Sequence, residues 1–171
     1  KGTKLWAGGS LGRTEATGVG VAKIAELVCD KILKKAMNAT TFAVQGFGNV
    51  GSYGCLDIAK RGGVITTISD YDGGGTIHNP KGIDAQKVFE HFERKKSEWT
   101  QLKAQMEKEE RIKEMPDKRY FEGFEGAEFY AFQKQGRGID WGKDIRTGFK
   151  VDVLIPAAAG KSVAPRAAPG D

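Results

Sequence analysis

The 171-residue sequence predicts an α/β fold built on a doubly wound, mainly parallel sheet. Three observations carry that reading. A short apolar run at 41–45 is followed at once by Gly46-Phe47-Gly48-Asn49-Val50-Gly51 and then by a helical stretch. A β-branched run, Val64-Ile65-Thr66-Thr67-Ile68-Ser69, comes next and ends in Asp70. A third run, Val151-Asp152-Val153-Leu154-Ile155, is stopped by Pro156. Strands alternating with helical patterns of this length are the signature of strand–helix–strand units.

The elements follow in chain order. Residues 1–12 are glycine-rich and irregular. A helix is predicted over 14–36, with Val21, Ile24, Ala25, Val28, Ile32 and Leu33 on its buried face, Thr14 as N-cap and Asn38 as stop signal. The first strand covers 41–45, and a helix over 49–61 is closed by Gly62-Gly63. The second strand is 64–69. Asp72-Gly73-Gly74-Gly75 and Asn79-Pro80 read as turns. A long, highly charged helix runs over 84–114, broken near Ser97 and ended by Pro116, with a thin apolar stripe that includes Val88, Phe92, Trp99 and Met106. The third strand is 128–132, and glycines from Gly136 to Gly148 argue for loop after it. The fourth strand is 151–155. The predicted spatial order of these four strands is 3-2-1-4.

Length and composition bound the function. One domain of this size buries roughly 70% of its unfolded surface. Hydrophobic residues make up 39% and charged residues 29%, a globular balance rather than a disordered one. No apolar run approaches the ~20 residues that span a bilayer, so no membrane partner is expected. Cys29 and Cys55 make neither a disulfide framework nor a zinc pattern, and both read as core. A reducing compartment fits: the cytoplasm, or the mitochondrial matrix in a eukaryote. His78 and His91 read as isolated exposed side chains. The first residue is Lys1, which reads as a piece of a longer chain, with the sheet truncated after its fourth strand. The net charge of +5 and pI near 9.1 raise nucleic acid as a partner. Basic residues are distributed along the chain, and 84–119 carries ten Lys/Arg against nine Asp/Glu without a concentrated basic face, so the expectation is no nucleic acid, and the charge suits an anionic cofactor.

Twenty-four glycines, about twice the usual share, are clustered at 8–20, 46–54, 73–75 and 123–148. Gly46-x-Gly48-x-x-Gly51 has the context that gives this pattern meaning: a strand before it and a helix opening within it. Gly46 permits a tight turn, Gly48 lets backbone approach a pyrophosphate, and Gly51 lets the helix pack on the strand. The N-terminus of that helix offers N–H groups and a positive dipole end to phosphates. Asp70, at the end of the next strand, is placed to accept hydrogen bonds from ribose hydroxyls; its competing role is to start the turn at 70–75. Gly18, inside the first helix, costs about 1 kcal/mol relative to alanine and implies close approach by another group.

The strings Gly8-Gly9-Ser10-Leu11-Gly12-Arg13-Thr14-Glu15-Ala16-Thr17-Gly18 and Val44-Gln45-Gly46-Phe47-Gly48-Asn49-Val50-Gly51-Ser52-Tyr53 closely resemble the glutamate dehydrogenases. Ser69-Asp70, Asn79-Pro80-x-Gly82-Ile83-Asp84 and Asp152-Val153-Leu154-Ile155-Pro156-Ala157-Ala158 extend the resemblance, which is close over 7–84 and 151–158 and weak between. It implies a Rossmann-like NAD- or NADP-binding domain over 1–159, carrying a charged helical segment at 84–119, with 160–171 as a loose tail. It implies that Thr17 contacts the nicotinamide carboxamide and that Arg13 lies near the cleft between domains. Asn49 and Val50, within the glycine turn, are implied at the cofactor phosphates, and Ala157 and Ala158 at the nicotinamide ribose. No catalytic residue and no metal ligand is assigned to this segment. The implied parent reaction is reversible oxidative deamination of L-glutamate to 2-oxoglutarate and ammonia, in a homo-oligomer, with Asp70 favouring NAD. Leucine, phenylalanine and valine dehydrogenases share the fold and are the nearest alternative. A non-catalytic dinucleotide-binding fragment is another, and a third makes the 84–114 helix a protein-interaction arm.

Overall fold

The protein was described from a computed structural model, covering residues 11–135, 138–140 and 145–158. The glycine-rich stretch 1–10 and the tail expected at 160–171 lie outside the described residues. Helix α1 (Arg13–Val28) begins at Gly12, which sits at φ 80 and takes the capping position expected of Thr14. A wider π-helical turn, Cys29–Leu33, follows and stops at Lys34 with φ 52, short of the predicted end. The buried face matches expectation at Ala25, and Val21 packs half-buried against the core, but it is centred on smaller residues than expected. Gly18, Ala22, Ala25 and Cys29 face inward, whereas Ile24 and Ile32 are 61% and 72% exposed. The reason is the neighbour. Strand β1 (Thr41–Gln45) leads into helix α2 (Asn49–Lys60), and a Cβ on Gly18 would lie 2.6 Å from the backbone nitrogen of Gly54 in α2. The close approach that Gly18 implied is this crossing, and only small side chains fit along it.

Helix α2 ends as its sequence directs. The N–H groups of Gly62 and Gly63 donate to the carbonyls of Ala59 and Ile58, both at 2.9 Å. Strand β2 (Val64–Asp70) follows, and then β3 (Gly75–His78). Helix α3 (Ala85–Lys108) is capped by Asp84, whose Oδ1 accepts from the N–H groups of Gln86 and Lys87 at 3.1 Å. It runs unbroken through Ser97. It ends at Lys108 rather than at Pro116, and Glu110 takes φ 57 just beyond. Strand β4 (Glu128–Ala131) precedes a small hairpin, β5 (Gln133–Gln135) with β6 (Gly138–Asp140), and β7 (Val153–Pro156) completes the described chain.

The main sheet has five strands in the order β4-β3-β2-β1-β7. Strands β2, β1 and β7 are parallel neighbours, while β3 is antiparallel to both β2 and β4. Four strands therefore point one way and β3 the other, a mainly parallel sheet. The expected order 3-2-1-4 placed the 128–132 strand directly beside 64–69. It needs one correction, because β3 stands between them. Turn signals on both sides of four residues hid that strand. Its Gly75, Thr76 and Ile77 are buried, and Thr76 Oγ1 donates to Ser69 Oγ at 3.1 Å.

The core joins Phe42 and Val44 of β1, Ile65 and Ile68 of β2, Ile77 of β3 and Ile58 of α2. Phe47, Phe92 and Phe121 form an aromatic cluster with ring centroids 5.1 to 5.6 Å apart, which docks α3 onto the carboxyl ends of β1 and β2. Both cysteines are buried, and burial pushes the Cys55 thiol far above its ordinary pKa. The two histidines depart from expectation. His78 Nδ1 lies 2.9 Å from Thr67 Oγ1 with its ring against Phe149, and His91 Nε2 lies 3.2 Å from the Glu122 carbonyl. Both are half-buried rather than exposed.

Asp152 closes the sheet edge. Lys35 Nζ donates to both of its carboxylate oxygens at 2.8 Å. The Thr41 N–H and hydroxyl donate to Oδ2 at 2.8 and 2.9 Å. Lys35, then the Thr41 donors, hold the Asp152 pKa down to about 2 from 3.8. A depressed carboxylate stabilises the fold above its unfolded pKa, and that contribution fades as pH falls through the folded value. Asp152→Asn should therefore cost about 1 kcal/mol near neutrality, discounted because the group is partly exposed. Urea melts at a series of pH values should show this deficit shrinking below about pH 4, where the parent carboxylate begins to lose its advantage.

Candidate functional site

The carboxyl ends of β1, β2 and β7 and the N-terminus of α2 converge on a cleft of about 1320 Å³. Open α/β sheets hold ligands at this end, where the strand order reverses. The turn from β1 to α2 is fixed by two glycines. Gly46 takes φ 95, its N–H donates to the Ser69 carbonyl at 2.6 Å, and a Cβ there would lie 2.7 Å from the Ala158 nitrogen. Gly51 rests on Gly46, so that a Cβ would run into the Gly46 carbonyl oxygen. Helix α2 is thereby held against the end of β1.

Gly48 is different. It adopts φ −71 and ψ −166, a conformation open to any residue, and a Cβ would meet nothing within 4 Å. Nothing in the fold requires glycine here; its effect is to leave the cleft side of the backbone uncovered. Gly48 is also the N-cap of α2, and its carbonyl accepts the first helical bond from the Ser52 N–H at 2.9 Å. The N–H groups of Asn49, Val50 and Gly51 belong to the first turn, which the helix itself cannot satisfy, and the helix dipole places positive potential there. These residues fit an anionic group brought against the backbone.

Asp70 takes the turn-starting role that its position offered, and a second one within the fold. Oδ1 accepts from the Gly73 N–H at 2.8 Å and so starts the turn. Oδ2 accepts from the Phe47 N–H at 2.7 Å and ties the glycine turn to the end of β2. Burial raises its pKa, and the Phe47 and Gly73 N–H groups oppose that rise. The Asp72 N–H is a third donor, and a carboxylate with about four acceptor positions still has room for a ligand hydroxyl.

Of the residues singled out from the sequence, Gly46, Gly48, Asn49, Val50, Asp70, Ala157 and Ala158 line the cleft. Gly51 lies beneath it. Arg13 and Thr17 are exposed on the first turns of α1 and are not part of the lining, whereas Thr14 between them is. Sequence reasoning missed the side contributed by α3 and the segment after it. Phe92, Trp99, Lys118 and Tyr120 all line the cleft. Lys118 Nζ lies 2.9 Å from Asp72 Oδ2 and 5.0 Å from the centre of the Trp99 ring. No local pattern marks these residues, because the chain brings them together across a long helix.

A family model described as Glutamate/Leucine/Phenylalanine/Valine dehydrogenase matches residues 8–170. The NAD-specific glutamate dehydrogenase of Clostridioides difficile is 42% identical over 91 residues, covering 50% of this chain and 21% of that protein. NAD-specific glutamate dehydrogenase A of Halobacterium salinarum is 43% identical over 86 residues, 50% of this chain and 19% of that one. The matched stretch thus spans about a fifth of these relatives. Among solved structures, Plasmodium falciparum glutamate dehydrogenase shares the fold with a TM-score of 0.55 at 23% identity, over 92% of this chain and 28% of that one.

The two kinds of glycine should separate in stability measurements. Gly51→Ala forces its methyl into the Gly46 carbonyl and should lower stability by about 2–4 kcal/mol. Gly48→Ala has open space and should cost about 1 kcal/mol or less, the price of a poorer N-cap. Thermal melts of both variants check this, and equal losses would contradict the geometry.

Proposed function

The chain belongs to the Glutamate/Leucine/Phenylalanine/Valine dehydrogenase family, and from that premise we propose that residues 1–159 form the cofactor-binding domain of a glutamate dehydrogenase. The observation that carries this reading is the convergence of the uncovered backbone at Gly48, the first-turn N–H groups of α2 and the Asp70 carboxylate in one cleft. In this reading the first turn of α2 binds the pyrophosphate of NAD, and Asp70 accepts from the adenosine ribose hydroxyls. Ala157 and Ala158, beyond β7, flank the nicotinamide ribose. Support for Arg13 and Thr17 is positional: they adjoin Thr14, which lines the cleft. Bound NAD would supply the hydride acceptor; the protein supplies position and field.

NAD is favoured over NADP because the Asp70 carboxylate repels a 2′-phosphate. The NAD-specific names of the relatives point the same way. The proposed parent reaction is oxidative deamination of L-glutamate to 2-oxoglutarate and ammonia, in a homo-oligomer. The relatives that support this choice over leucine, phenylalanine or valine are glutamate dehydrogenases. The match to a fifth of their length favours a second, narrower statement, that this stretch binds cofactor without completing the reaction. Hydride transfer needs the amino acid held against the nicotinamide with a base at its amino group.

Two measurements test these readings. Calorimetry with NADH should show Gly48→Val binding at least ~10-fold more weakly than the parent, because the side chain fills the space a pyrophosphate needs. Equal affinities would remove the glycine turn from this role. In a sensitive NADH-production assay with excess glutamate, the pure 171-residue chain should show no turnover. Activity that disappears in Thr17→Ala or Gly48→Val would show that this stretch suffices for the reaction.

A further inference from the structure

We propose that Asp72 and Lys118 set the cofactor preference of this cleft: Lys118 is a cation placed to meet a 2′-phosphate beside Asp70, and Asp72 withholds it. The inference rests on the dinucleotide reading above and adds a determinant outside the glycine turn. Lys118 reaches the site on a segment laid along the turn that Asp70 begins. The Tyr120 N–H donates to the Asp72 carbonyl at 3.1 Å, and the Phe121 N–H to the Gly73 carbonyl at 3.0 Å. Gly74 lies so close to this segment that a Cβ would be 2.8 Å from Arg119 Cγ. The backbone that carries Lys118 is therefore docked beside the end of β2, where the ribose of a bound dinucleotide would lie.

The side chain is held from two directions. Lys118 Nζ is 2.9 Å from Asp72 Oδ2. It also stands 5.0 Å from the centre of the Trp99 ring, which is anchored by its Nε1 donating to the Pro116 carbonyl at 3.3 Å. Asp72, first, and then Asp70 through its charge favour the ammonium form, so the cation belongs to an acid–base–acid set. Lys96, another lysine of the lining, is paired with Glu93 on its own helix at 2.8 Å.

The consequence is electrostatic. A 2′-hydroxyl asks nothing of Lys118 and can donate to Asp70. A 2′-phosphate has to take Lys118 from Asp72, and it then faces two carboxylates, one of them newly unpaired. The Lys118 and Asp72 side chains are 36% and 41% exposed, so the latch is a rim interaction of modest strength that substitution can tip. Removing the Asp72 charge should leave Lys118 available and convert a discriminating cleft into a tolerant one.

The test is calorimetric titration of the 171-residue chain with NADH and with NADPH. Asp72→Asn should raise NADPH affinity by about tenfold, with NADH changed by less than about twofold. The gain should vanish in the Asp72→Asn/Lys118→Met double variant, which assigns it to Lys118 rather than to Lys96, to Arg146 or to loss of a repulsive charge. Lys118→Met alone, which keeps the turn intact, should weaken NADPH further and spare NADH. An unchanged NADPH/NADH ratio in Asp72→Asn, or a gain that persists in the double variant, overturns the proposal while NADH binding leaves the cofactor reading intact. A parent chain that binds neither nucleotide overturns the cofactor reading, and this proposal falls with it.

Discussion

The contact between Gly51 and the carbonyl of Gly46 is the constraint on which the cleft depends. It brings the first turn of α2 down onto the end of β1 with no side chain between. Gly46 turns the chain at φ 95 and itself lies against the backbone of Ala157 and Ala158, so the ends of β1 and β7 are locked in the same act. One face of the site is thus backbone packed on backbone. Such a face presents N–H groups and a helix dipole rather than side chains, and its chemistry is the recognition of negative charge at close range.

Asp70 extends that constraint to β2. Its acceptor bonds to the N–H groups of Phe47 and Gly73 join the turn after β1 to the turn after β2. Phe47, whose N–H is so held, drives its ring into the cluster with Phe92 and Phe121. The position of α3 is therefore coupled to the glycine turn through one residue. Its backbone is fixed by the site, and its side chain is fixed by the core. Disturbing the packing of Phe92 or Phe121 would move the lining of the cleft even though neither change touches the glycine turn.

The parts of this arrangement that were legible in the sequence are those written locally. Strand, glycine turn and helix over 41–60 could be read because each residue in the turn has a reason within a few positions of itself. Strand β2 and its terminal acid followed from β-branched residues and a turn signal. Strand β3 was not legible, since Gly75-Thr76-Ile77-His78 is four residues framed by turn signals, and only pairing with β2 and β4 makes it a strand. The face of α1 was read only in part, for a related reason. Periodicity marks where large apolar residues recur, but the partner helix selected the small ones, Gly18, Ala22 and Ala25, because α1 and α2 meet at glycine-to-glycine distance. Lys118 and Asp72 are 46 residues apart, and nothing at either position announces the other.

The two sides of the cleft consequently answer to different rules. The glycine side has almost no freedom, because a single added carbon at Gly46 or Gly51 collides with backbone. The side built by α3 and its following segment is made of side chains, Trp99, Lys118 and Tyr120 among them, with the Lys118 ammonium over the Trp99 ring. Substitution there changes charge and shape without moving the sheet. The resemblance read from the sequence, closer over 7–84 and 151–158 than between, follows the same division. A backbone wall held this tightly beside a wall of side chains lets one side change while the other is kept. In the proposed cofactor reading, discrimination between related nucleotides rests on the pair in which the turn after β2 meets the segment after the long helix, Asp72 with Lys118.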